Sequence, residues 1–127
     1  MKKYLQNIEK ITLANENFRQ VLYTGQHMQL VVMSLKPLEE IGAEVHQVGD
    51  QFFRVEAGEG KAIFDGEEHN IVAGDALVVP AGLHHNIINT SSKNSLKIYT
   101  IYSPAHHKDA TIHATRHTAQ ADKDDHI

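Results

Sequence analysis

The sequence predicts an all-β barrel or sandwich, and three observations carry that prediction. About eight short runs, apolar or strictly alternating, recur with turn residues between them at regular spacing. Asp65-Gly66 joins two of these runs as a type I′ hairpin turn requires, because both residue types tolerate φ > 0. No stretch carries a convincing long helical period, and no repeat of solenoid length is present.

Taken in order, residues 1–17 are mixed and polar. Tyr4, Ile8 and Ile11 could line one helical face, but Asn15-Glu16-Asn17 ends any such element. This segment reads as an arm packed on the outside of the domain or across a partner subunit. Residues 18–24 read as a strand, with Gly25-Gln26 as the turn, and residues 27–35 as a long apolar strand with His27 at its solvated mouth. Residues 36–42 form a turn-rich connection. Glu44, His46 and Val48 then alternate onto one strand face, and Gln51, Phe53 and Val55 do so on the next strand, with Arg54 and Glu56 pointing away. Gly58 and Gly60 bracket a turn. Residues 61–64 and 67–72 flank the Asp65-Gly66 hairpin.

Residues 76–79 are a short β-branched run suited to a buried strand. Pro80 has no N–H to give to a ladder and Gly82 tolerates turn conformations, so the chain turns there. Beyond the turn, His85 and Ile87 share one face, and His84, Asn86 and Ile88 share the other. A histidine on the same face as an isoleucine points inward and needs a partner, either a backbone group or a metal ion. Residues 91–95 are a polar surface loop, and residues 96–103 alternate cleanly as the last strand.

Composition narrows the function classes. A chain of 127 residues suits one domain with a real core. A formal net charge of −4 argues against nucleic acid and anionic membranes as partners. There is no Cys, hence no disulfide framework and no thiolate chemistry. The N-terminus turns polar too soon for a signal sequence, and no apolar run reaches membrane-spanning length. A soluble, cytoplasmic protein is the expectation.

The spacing Gly74-x5-Pro80-x-Gly82-x2-His85-x3-Asn89 matches the second conserved motif of the cupins at every position. On this resemblance His85 is a metal-binding histidine. The first cupin motif, Gly-x5-His-x-His-x4-Glu-x6-Gly, aligns with less fidelity. With its last glycine on Gly58, the second histidine falls on His46, the first on Glu44, the glutamate on Gln51 and the opening glycine on Leu38. The chain thus keeps His46 and Gly58 and departs at Leu38, Glu44 and Gln51. The segment Phe53-Arg54-Val55-Glu56-Ala57-Gly58-Glu59-Gly60 is similar to the strand and turn that follow the glutamate in many cupins. The resemblance spans residues 36–102 and implies a double-stranded β-helix, or jelly-roll barrel. The domain plan it suggests is an N-terminal arm (1–17), a cupin barrel (18–104) and a His-rich surface tail (105–127).

The ligand set implied by the resemblance is Glu44, His46, Gln51 and His85. It offers two imidazoles, one carboxylate and one amide oxygen, so the carboxylate has moved rather than vanished. Such a set suits a divalent first-row ion, whether iron, manganese, nickel, cobalt or zinc, with open positions for water or a ligand. Fewer imidazoles and a weak amide donor lower the expected affinity. The competing account is a degenerate cupin in which Glu44–His46 or Gln51–His85 hydrogen bonds hold the pocket without metal.

Three function classes follow. A metal-dependent enzyme would act on a small oxygen-containing molecule, as small cupins resembling dioxygenases and sugar isomerases do. A binding or sensor barrel would hold a small molecule without turnover, with Val48, Phe53, Val55 and Ile87 suited to line it. A storage protein fits the small size least. The only basic side chain near the motif is Arg54, on the outward face, which argues against a sugar phosphate. Small cupins pair through a sheet edge and the N-terminal segment, so the resemblance implies a homodimer.

The remaining histidines read as bland. His84 points outward and His69 is solvated in the hairpin. His106, His107, His113, His117 and His126 belong to a polar tail expected to be mobile or draped over the surface, where His113 and His117 would be neighbours only in a helix.

Overall fold

The computed structural model describes residues 1–125. Nine strands and two short helices are placed among them: α1 (Ile8–Ala14), β1 (Arg19–Thr24), β2 (Gln29–Leu35), β3 (Asp50–Ala57), β4 (Glu59–Phe64), β5 (Glu67–Val72), β6 (Ala76–Val79), β7 (His85–Asn89), β8 (Leu96–Ser103), β9 (Ile112–His113) and α2 (Arg116–Ala121). They form an antiparallel six-stranded sheet in the order β6-β3-β8-β2-β1-β9 and a three-stranded sheet in the order β5-β4-β7. The core lies between the two sheets. Val31, Met33, Leu35, Phe53, Val55 and Ile98 come from the larger sheet, and Ala62, Ile71 and Ile87 from the smaller. The result is the all-β jelly roll that the turn spacing and the motif resemblance predict.

The chain passes from one sheet to the other at Gly58. That residue has φ +97°, and a Cβ on Gly60 would lie 2.3 Å from the carbonyl oxygen of Ile88. The smaller sheet can therefore close only because no side chain separates β4 from β7 at this point. Asp65 and Gly66 have φ of 47° and 85°, as the type I′ turn requires.

The N-terminal segment takes up the helical face and the Asn15 stop that its sequence offers, whereas the tail departs from its reading. Residues 8–14 form a capped helix: Asn7 Oδ1 accepts from Lys10 N at 2.9 Å, and Thr12 is fully buried. The arm lies on its own barrel, where Lys97 Nζ donates to the Asn15 carbonyl. The tail expected to be draped on the surface packs instead. β9 pairs with β1, and His107, His113 and Asp125 are 1%, 2% and 1% exposed. Its polar residues are buried because they satisfy one another, which composition cannot reveal. His113 lies in β9 and His117 in α2, so they do not share a helix. His126 lies outside the described residues.

Candidate metal centre

Glu44 and His46 lie in the irregular connection between β2 and β3, not on the regular strand face the alternation suggested. Backbone pairing substitutes for the strand. Glu44 N donates to His85 O at 2.8 Å, and His85 N to Glu44 O at 2.9 Å. Gly82 N donates to His46 O at 2.9 Å, so the Pro80–Gly82 turn is tied to the same connection. Asn86 Oδ1 accepts from Gly42 N at 2.9 Å. The two motifs are thereby laid edge to edge.

This pairing brings three candidate ligands together. One ligand atom each from Glu44, His46 and His85 lie within 4.8 Å of one another. Glu44 Oε2 is 3.2 Å from His46 Nε2 and 4.0 Å from His85 Nε2. The His85 ring is 4% exposed by residue, and its Nδ1 lies 3.1 Å from the Leu83 carbonyl. A carbonyl can only accept, so Nδ1 carries the proton and Nε2 presents its lone pair. Burial holds the His85 pKa below the usual imidazole range, which keeps that tautomer neutral. Burial pushes the Glu44 carboxyl up, but the adjacent His46 imidazole and the charge of Arg19 outweigh it, and Glu44 stays ionised.

Gln51 sits on β3 opposite Tyr102 of β8, at 3% exposure. Its Nε2 donates to Thr100 Oγ1 at 2.9 Å, which leaves Oε1 free to act as a donor to a metal. The buried Nε2 atoms of His46 and His85 and the buried Oε1 of Gln51 have no hydrogen-bond partner among the described residues. His46 Nε2 lies 3.2 Å from Glu44 Oε2, a charge contact that holds the carboxylate ionised. Buried acceptors and donors left unpaired are costly, typically about 1–3 kcal/mol each. A cation held by Glu44, His46 and His85 removes that cost for the two imidazoles, so this donor set fits a divalent ion.

A family model described as a cupin domain matches residues 31–102, more than half of the chain. The chain belongs to the cupin family. This cupin is 41% identical over 129 residues to the uncharacterised protein YrkC of Bacillus subtilis (strain 168), an alignment covering 97% of this chain and 69% of that protein. It superposes on the crystal structure of BH2720 from Bacillus halodurans with a TM-score of 0.93 at 37% identity, over 95% of this chain and 96% of the other. An RmlC-like cupin from Shewanella frigidimarina shares the fold, with a TM-score of 0.62 at 24% identity over 68% of this chain and 75% of the other.

Beside the site this cupin has an open cavity of about 310 Å³, lined by His46, Tyr102 and His106 together with Val45, Val48 and Pro104. Val48 is on its rim, 86% exposed, whereas Phe53, Val55 and Ile87 belong to the packed core and do not line it. His106, placed by sequence in a solvated tail, packs edge-on against His46 at 4.3 Å between ring centroids and stacks on Tyr102 at 5.2 Å. Gln29 holds this corner: its Oε1 accepts from His106 N and His107 N, and its Nε2 donates to His107 O.

Behind Tyr102 runs a buried polar chain. Tyr102 Oη is 3.0 Å from His107 Nε2, and His107 Nδ1 is 2.6 Å from Asp125 Oδ2. Burial and the charge of Arg19 hold His107 well below the usual imidazole range despite the opposing pull of Asp125. The neutral ring then donates from Nδ1 to Asp125 and accepts the phenol proton at Nε2. Burial pushes the Tyr102 phenol up, so it remains protonated. No sequence spacing signals this chain, because its members are brought together only when the tail packs on β1 and β8.

His113, Asp122 and Asp125 form a second cluster with metal-compatible spacing. Both ring nitrogens of His113 are already used there, Nε2 by Asp122 at 3.0 Å and Nδ1 by Arg19 at 3.4 Å. It reads as the anchor of the tail. His84 is exposed, and His69 is exposed beside Glu67 at 3.1 Å, as the sequence indicated.

Proposed function

We propose that this cupin holds one divalent first-row metal ion through Glu44, His46 and His85, with Gln51 Oε1 as a further oxygen donor, and acts on a small oxygen-containing molecule seated in the adjoining cavity. The observation that carries the reading is that one ligand atom each from Glu44, His46 and His85 lies within 4.8 Å of the others, with the buried Nε2 atoms of both imidazoles unpaired beside an ionised Glu44. A bound ion would supply Lewis acidity toward an oxygen of that molecule. The residues of the chain supply the rest. Leu83 O fixes the His85 tautomer, His106 and Tyr102 form a flat wall for a planar ligand, and the Tyr102 hydroxyl stays protonated with His107 Nε2 as its acceptor.

The apolar lining from Val45, Val48 and Pro104 also supports a second reading, a barrel that binds a small molecule without turnover. A turnover assay with catechols, diketones and sugars, run with and without metal, separates the two. The inferred assembly is a homodimer formed through an open sheet edge. The edge positions of β5 and β6 and the exposed apolar side chains Leu5, Val72 and Val78 support it, and sedimentation equilibrium checks it.

The deciding experiment is elemental analysis by plasma mass spectrometry on tag-free wild type and His85→Ala. Near-stoichiometric metal in the wild type and its loss in the variant is the expected result. A wild type that takes up no iron, manganese, nickel, cobalt or zinc after incubation overturns the metal reading.

A further inference from the structure

A second cavity, of about 100 Å³, shares no lining residue with the first. Phe18 just before β1, Arg19 at its start, Ile41, Glu44, and Arg116 and Gln120 of α2 line it. Two guanidinium groups thus border one small space beside the Glu44 carboxylate. The sequence gives no hint of this, since Arg19 and Arg116 are far apart in the chain and both lie outside the motif region.

Neither guanidinium is well satisfied. Arg19 is 5% exposed, its Nη1 lies 3.4 Å from His113 Nδ1 and 3.9 Å from Asp125 Oδ2, and its buried Nε has no partner. Arg116 reaches the Ile41 carbonyl only at 3.4 Å from Nε and 3.5 Å from Nη2, the outer limit of a hydrogen bond. Gly42 leaves the room it occupies, since a Cβ there would lie 3.0 Å from Arg116 Nη2. Glu44, the one negative group lining the cavity, places its Oε2 3.2 Å from His46 Nε2 and 4.0 Å from His85 Nε2, and it also interacts with the charge of Arg19, which leaves the second guanidinium uncompensated there. Two cations with spare donors around a small space disfavour a metal ion and favour an anion. Planar N–H forks match a carboxylate with two parallel hydrogen bonds. The volume admits only a ligand of a few heavy atoms.

We propose that Arg19 and Arg116 form a binding site for a small carboxylate anion next to Glu44. This site adds to the metal reading and does not depend on it, since neither arginine is a candidate ligand of the ion.

The test uses the full chain, freed of metal by dialysis against a chelator. Acetate, oxalate, inorganic phosphate and neutral acetamide are titrated by calorimetry, and the side-chain Nε–H resonances of Arg19 and Arg116 are followed by NMR. The expected result is saturable binding of acetate or oxalate, no binding of acetamide, and shifts in both arginine resonances. Arg116→Gln weakens that binding at least about tenfold, and Arg116→Lys weakens it less. Circular dichroism confirms that the variants fold, and if Arg116→Gln does not fold the wild-type NMR shifts decide. No saturable carboxylate binding, binding of phosphate alone, unmoved arginine resonances, or equal affinity in a folded Arg116→Gln each overturns the proposal. Because the protein is metal-free throughout, failure here and failure to bind metal are separate outcomes.

Discussion

Glu44 and His85 exchange both of their backbone hydrogen bonds, at 2.8 and 2.9 Å, so the carboxylate and the imidazole of the candidate centre face each other across a single two-residue bridge. The geometry of the site therefore depends on how the connection after β2 is fastened to β7. Asn89 does much of that fastening: its fully buried amide donates to the carbonyls of Leu35, Lys36 and Asn94, and its Oδ1 accepts from Ser91 N. Asn89→Ala strands these groups and is expected to destabilise the fold by about 2–4 kcal/mol. Urea denaturation checks this, and a loss under about 0.5 kcal/mol would show that water replaces the amide.

Within the smaller sheet, β4 pairs closely with β7 at Gly60. Gly60→Ala places a methyl group 2.3 Å from the Ile88 oxygen and is expected to abolish folding or cost more than about 3 kcal/mol. Gly74, at φ +98° with nothing within 4 Å, is the control, and Gly74→Ala should cost only about 1–2 kcal/mol. Equal losses in the two variants would refute close approach as the role of Gly60.

Acid should loosen the tail before it unfolds the barrel core. His107 is buried neutral, so its folded pKa lies below the unfolded value and the unfolded chain binds more protons below about pH 6.5. Its contribution is complete above that pH and is lost as the pH falls, by about 2 kcal/mol between about pH 7 and pH 5. Asp125, held below the usual carboxylate range beside His107 despite its burial, adds a further loss at lower pH. The stability of His107→Gln should fall less steeply than that of wild type over the same range, as read by chemical denaturation. Parallel slopes would rule out His107 as the source.

Gln51 stands where the cupin motif has a glutamate, and its buried Oε1 lacks a hydrogen bond. Gln51→Glu should raise metal affinity roughly tenfold, because a carboxylate is a better donor than an amide for a divalent ion. It should also lower the melting temperature of the metal-free protein, because the new carboxyl is buried without an ion. Competition against a chelator and melting with and without metal measure the two effects. A variant that melts higher without metal, and binds it no better, would show that Gln51 is not directed at an ion.

Much of this was legible along the chain. Turn chemistry at Asp65-Gly66 and at Pro80-x-Gly82, together with strand alternation, depends on local backbone preferences, so the all-β class and the succession of strands along the chain could be read from residues a few positions apart. The spacing around His85 carries His85 itself, and the partial first motif carries Glu44, His46 and Gln51, because strands or turns of fixed length separate those positions. Which side chains meet across the fold was decided only in three dimensions. Glu44 and His46 reach His85 from an irregular segment held by backbone bridges, not from a strand face. The tail looked solvated because His, Asp and Arg are individually costly to bury. It packs because His107 with Asp125 and His113 with Asp122 satisfy one another across sequence separations that no periodicity encodes.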